Sequence, residues 1–201
     1  MERKNNIIIP VTGIVTCVMY FASVAFFLTT GWEAALTVWE LMTIVSGPLV
    51  LLVMTELCEY VCAPVMWQKM MTAFMSCVCA LTGAAHIVNI SVTRRLIREG
   101  VEVPLFFQIG QWPSLEMAID YLAWGFFMGL SFLCLSLPVL NRSEGDRYIK
   151  IISLICGILC LMGFSGALII NENLWYLAPM GYGVGLLVLC ILMIRRGKRW
   201  E

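Results

Sequence analysis

The side chains of this sequence that could do chemistry gather in its middle. The one histidine, His86, is followed by Arg94, Arg95 and Arg98, and then by Glu116 and Asp120, spaced four apart. Glu40 stands earlier, inside an apolar run. Glu116, Asp120 and Trp124 fall at i, i+4 and i+8, so a helix places them on one stripe. Asn89 and Thr93 extend the His86 face at i+3 and i+7. Carboxylates beside a histidine can hold a cation or exchange a proton, because imidazole changes charge near neutral pH. Arginine can grip a carboxylate or a lipid phosphate through two parallel hydrogen bonds.

The elements that must position these groups are membrane spans. The chain has 201 residues, 61% hydrophobic and 13% charged. A soluble domain is nearer half apolar and a quarter charged, so lipid must act as part of the solvent. A span needs about 20 apolar residues. Six such runs are read at 7–30, 37–61, 70–93, 113–140, 148–170 and 174–194. The fold class expected is an all-α bundle of six transmembrane helices in a single domain, 1–201, with residues 94–112 forming a basic and apolar outer loop. Arg3 and Lys4 before the first run resemble the start of a signal peptide, but the run is too long for an ordinary signal core and reads as a retained helix.

Basic residues favour the cytoplasmic side of a membrane. With both termini in the cytoplasm, inner segments carry Arg3, Lys4, Lys69, Arg142, Arg147, Lys150, Arg195, Arg196, Lys198 and Arg199. Arg94, Arg95 and Arg98 remain outside. This orientation implies an integral protein of a plasma (inner) membrane. It places most of the nine cysteines in the inner half of the bilayer, where they read as small packing residues. Trp32, Trp112 and Trp175 read as an interfacial belt on the outer side, and Trp67 and Trp200 on the inner.

Depth along the helices brings the polar groups together. At about 1.5 Å per residue, His86 and Glu116 lie roughly 6 Å below the outer interface, with Asp120 and Glu40 roughly 12 Å deep. Ionisable residues inside a span usually face a bundle interior or a wet cavity. Glu116 also suits the positive end of a helix dipole, behind Pro113 in the first turn. Arg94, Arg95 and Arg98 either extend a solvated basic face or fold over the acids. Val103-Pro104-Leu105-Phe106-Phe107 is apolar for an outer loop, so Phe106 and Phe107 are expected at the interface or as a lid.

Gly125/Gly129 and Gly181/Gly185 each form GxxxG, which lets helices approach closely, within the chain or between copies or partners. Gly47-Pro48 predicts a bend in the second span. A single histidine excludes a three-histidine zinc site and bis-histidine haem. There is no Walker motif, GxSxG or HExxH. No cofactor, metal or nucleic-acid partner is implied.

Three functions fit. The first is an outer-leaflet cavity that binds a small cation, a proton or an amphiphile, as in a transporter or sensor; its ligand residues would be Glu40, His86, Asn89, Glu116, Asp120 and Trp124. The second is an intramembrane enzyme acting on lipid, with His86 as base; it lacks an obvious nucleophile, Ser91 and Ser114 being the near candidates, so binding is preferred to catalysis. The third is an accessory subunit whose polar residues only fix helix pairing.

Overall fold

A computed structural model describes residues 7–108, 114–139, 144–169 and 171–197. Arg3, Lys4, Trp112, Pro113, Arg142, Lys198, Arg199 and Trp200 lie outside the described residues. Those described are helical apart from turns and short connections.

Six helices are long and apolar enough to cross a bilayer: α1 (Ile8–Thr30), α2 (Glu33–Tyr60), α3 (Val65–Arg98), α4 (Leu115–Ser136), α5 (Gly145–Ile169) and α6 (Asn173–Arg195). The chain is thus an integral, multi-pass membrane protein. Large apolar side chains such as Leu28, Leu52, Met66 and Leu168 are more than half exposed on the bundle surface, which lipid but not water would tolerate in such number.

The breaks have local causes. Gly31 ends α1 in a left-handed conformation, φ 63°, with its N–H bonded to Phe27 O. Pro64 precedes the first residue of α3, where it cannot interrupt a helical bond. Gly100 turns the chain after α3 at φ 76°. Ser114 caps α4 by accepting from the Met117 N–H at 3.4 Å. Gly47-Pro48 lies within a continuous α2.

Each helix packs on its sequence neighbours, and α6 closes on α1, so the six form a ring. One end of the ring is solid. There Met54 and Leu57 of α2, Met71 and Met75 of α3, Phe132 and Leu135 of α4 and Leu189 of α6 are fully buried. Flexible methionines suit such an irregular centre. The other end, where α1, α3 and α5 finish and α2, α4 and α6 begin, is hollow.

Glycines draw three of the helices together. A Cβ on Gly125 would sit 2.7 Å from Phe164 Cβ, and one on Gly129 2.8 Å from Leu161 Cγ, so α4 rests against α5. A Cβ on Gly181 would meet Cys156 O at 2.8 Å and Cys160 Sγ at 2.9 Å, and Gly185 abuts Cys156. Of the two uses open to the GxxxG pairs, both pairs serve packing within the chain, against α5.

Candidate functional site

The hollow end encloses a cavity of about 500 Å³. Its polar members come from three helices: Glu40 and Thr43 of α2, His86 of α3 and Asp120 of α4. Aromatic rings make most of the wall, from Tyr20 and Phe27 of α1, Trp39 of α2, Tyr121 and Trp124 of α4, and Trp175, Tyr176 and Tyr182 of α6. They hold one another in place. Phe27 and Trp39 have centroids 5.6 Å apart, Tyr121 and Trp175 5.7 Å, and Trp124 and Tyr182 4.9 Å.

Three spans widen at this level. Turns of π-helix occupy Asn89–Thr93 in α3, Leu122–Phe127 in α4 and Met180–Gly185 in α6. Such turns insert an extra residue into a helix and often occur at functional sites. Here they carry Asn89 and Thr93, Trp124, and Tyr182.

Glu40 is 1% exposed and fully engaged. Asn89 Nδ2 donates to its Oε1, and the Arg94 guanidinium meets its Oε2 in a buried ion pair. Arg94 Nη1 also donates to Thr37 Oγ1 at 2.7 Å. Thr93 Oγ1 donates to Glu116 Oε1 at 3.2 Å.

His86, 4% exposed, stands between two acids. Its Nδ1 lies 3.7 Å from Glu40 Oε1 and its Nε2 3.6 Å from Asp120 Oδ1. Both distances exceed a direct hydrogen bond, and among the described residues neither ring nitrogen has a hydrogen-bond partner. The indole N–H group of Trp124 is likewise buried without a partner among these residues. The side chain of Asp120 is 28% exposed, against 2% for Glu40.

No protein-family model, curated protein or solved structure matches this chain.

The expected ligand residues divide by position. Glu40, His86, Asp120 and Trp124 line the cavity, while Asn89 and Glu116 stand behind it, Asn89 on Glu40 and Glu116 on Thr93. The arginines also separate. Arg94 is drawn inward, whereas Arg95 and Arg98 remain 74% and 63% exposed. Arg95 pairs with Glu99 at 2.9 Å, and Arg98 Nε donates to Glu33 at 2.8 Å. Phe106 and Phe107 form an exposed 3₁₀ turn with rings 4.5 Å apart, beside the start of α4 and outside the cavity lining. Ser91 donates to Ile87 O on an exposed face, and Ser114 serves as a helix cap, so neither lines the cavity. Among the described residues, no three His, Cys, Asp or Glu side chains are grouped to hold a metal.

The sequence reading missed most of the aromatic wall. Trp175 reads as an interfacial anchor, yet it packs on Tyr121 and faces the cavity. Tyr182 is hidden between two glycines whose packing role is plain. The available signal was the seven-residue interval from Trp175 to Tyr182, which returns to the same helix face after two turns.

Arg94 is taken up by Glu40, whereas Asp120 is the acid of this cluster that meets the open space of the cavity. A cation over an aromatic face is attracted by about 0.5–2 kcal/mol per ring, more when desolvated.

Proposed function

We propose that this protein binds a small organic cation in the hollow end of its bundle, as a transporter or sensor of a plasma membrane would. The carrying observation is Asp120. It is partly exposed, opens onto a cavity of about 500 Å³ and is surrounded by rings. Ammonium groups are recognised in this way, by a carboxylate for charge and by ring faces for a poorly hydrated surface. Arg94 has already neutralised Glu40, which therefore acts as a support beneath His86.

The orientation proposed puts the hollow end on the outer face and both termini in the cytoplasm, in keeping with the basic inner segments. A cluster that merely fixes helix pairing would bond His86 directly to its acids and enclose no cavity. The 3.6 and 3.7 Å separations and the open volume favour binding.

The test compares choline with its uncharged carbon isostere, 3,3-dimethylbutan-1-ol, by calorimetry on purified protein. The cation is expected to bind at least ten-fold tighter, and Asp120→Asn to remove most of that margin. Equal binding of the two probes, or an unchanged margin in Asp120→Asn, would defeat the proposal.

A further inference from the structure

We infer that the ligand is an amphiphile: an ammonium headgroup held at Asp120, with an alkyl chain leaving sideways between α1 and α6 into lipid. This rests on the cation-binding reading above and adds the ligand's second half and its route.

The ring is not equally closed along its length. α1 packs on the Leu186–Gly197 part of α6. The contact continues up to Gly183, where Cys17 Sγ lies 3.9 Å from Gly183 O and an added Cβ would fall 2.6 Å from Phe21 Cζ. Towards its start α6 is broken into the short helices Glu172–Trp175 and Leu177–Pro179, both packed on α5.

Notches on α5 receive them. A Cβ on Gly163 would lie 2.8 Å from the Ala178 nitrogen, and one on Gly166 2.7 Å from Leu174 Cβ. These glycines let the first turns of α6 sink against α5. Phe27 of α1 and Tyr176 of α6 both line the cavity. Tyr176 is nonetheless 74% exposed, so it reaches from the cavity lining to the bundle surface, and the inferred exit lies between it and Phe27.

Phe27 lies one turn from the end of α1, within a membrane-spanning helix. An opening at that level meets the boundary between headgroups and acyl chains, not bulk water. A fully hydrated small cation gains little from such a door. A membrane-partitioned ammonium gains both the carboxylate inside and an uninterrupted apolar path for its chain.

The experiment uses full-length protein in phosphatidylglycerol nanodiscs and n-alkyltrimethylammonium ions from tetramethyl to dodecyl. Tryptophan fluorescence reports binding, corrected for partition into empty discs. The corrected affinity is expected to hold or rise through the dodecyl member, and Asp120→Asn to weaken every member at least ten-fold. If tetramethylammonium binds in an Asp120-dependent way but affinity falls off beyond short chains, the cavity is closed sideways. The amphiphile inference then fails while the cation site stands. Dodecyl binding that ignores Asp120→Asn also overturns it, as would failure of every member to bind, which removes the cation site as well.

Discussion

Arg94 meets Glu40 inside the bundle with their side chains only 8% and 2% exposed. The pair joins α3 to α2 beside the cavity, and Asn89 and Thr37 satisfy further atoms of it. Its job is to make a buried carboxylate tolerable and to hold the acid that flanks His86.

Removing one member of such a pair strands the other. Arg94→Leu is expected to destabilise the protein by about 3–5 kcal/mol. The double change Arg94→Leu, Glu40→Leu should recover much of that loss, since no charge is left buried. Thermal unfolding in detergent measures both. Equal damage in the single and double variants would count against the pairing.

Asp120 should behave in the opposite manner. Being partly exposed and accepting no hydrogen bond at Oδ1 among the described residues, it is expected to matter to the proposed binding and little to the fold. Asp120→Asn is expected to shift stability by no more than about 0.5 kcal/mol, while calorimetry shows at least a ten-fold loss of tetramethylammonium affinity. A strongly destabilised Asp120→Asn would make the residue structural.

The exposed pair Arg98–Glu33 offers a contrast with the buried one. Both side chains are more than half exposed, so Glu33→Ala should cost no more than about 1 kcal/mol, falling towards zero in high salt. A loss as large as that of Arg94→Leu would contradict the division between the arginines.

Glycine replacements test the helix contacts. Gly125→Ala would thrust a methyl group against Phe164, including its backbone nitrogen 3.1 Å away, and is expected to cost about 1–3 kcal/mol. Gly83→Ala meets nothing within 4 Å and should be neutral or stabilise by up to about 1 kcal/mol. Chemical unfolding of the two variants under one set of conditions distinguishes them. The opposite ranking would mean that α4 and α5 are not packed as described.

Much of the architecture is legible in the sequence because lipid imposes a simple rule. Long apolar runs must become helices, as no water remains to satisfy their backbones. Matching depths by helical rise works only in part. It sets His86 level with Glu116 and a turn above Glu40 and Asp120, whereas His86 stands between Glu40 and Asp120 and Glu116 meets Thr93, because α3 runs on to Arg98 beyond the expected end of its span. Regular periodicity fails where helices depart from it. Glu116, Asp120 and Trp124 share an ideal stripe, but Glu116 turns to Thr93 while Asp120 and Trp124 face the cavity, with a π turn starting at Leu122. The seating of α6 on α5 depends on Gly163 and Gly166 finding Ala178 and Leu174, a pairing between helices that no local pattern announces.

The central claim is that the aromatic cavity beside Asp120 receives a cation. Tetramethylarsonium carries the same shape and charge as the ammonium probe and can be located by anomalous scattering in a crystal of the protein. The predicted result is a single arsenic peak inside the cavity, near Asp120 and within about 6 Å of several ring centroids. Arsenic density elsewhere on the bundle, with the cavity free of it at saturating probe, would contradict the account.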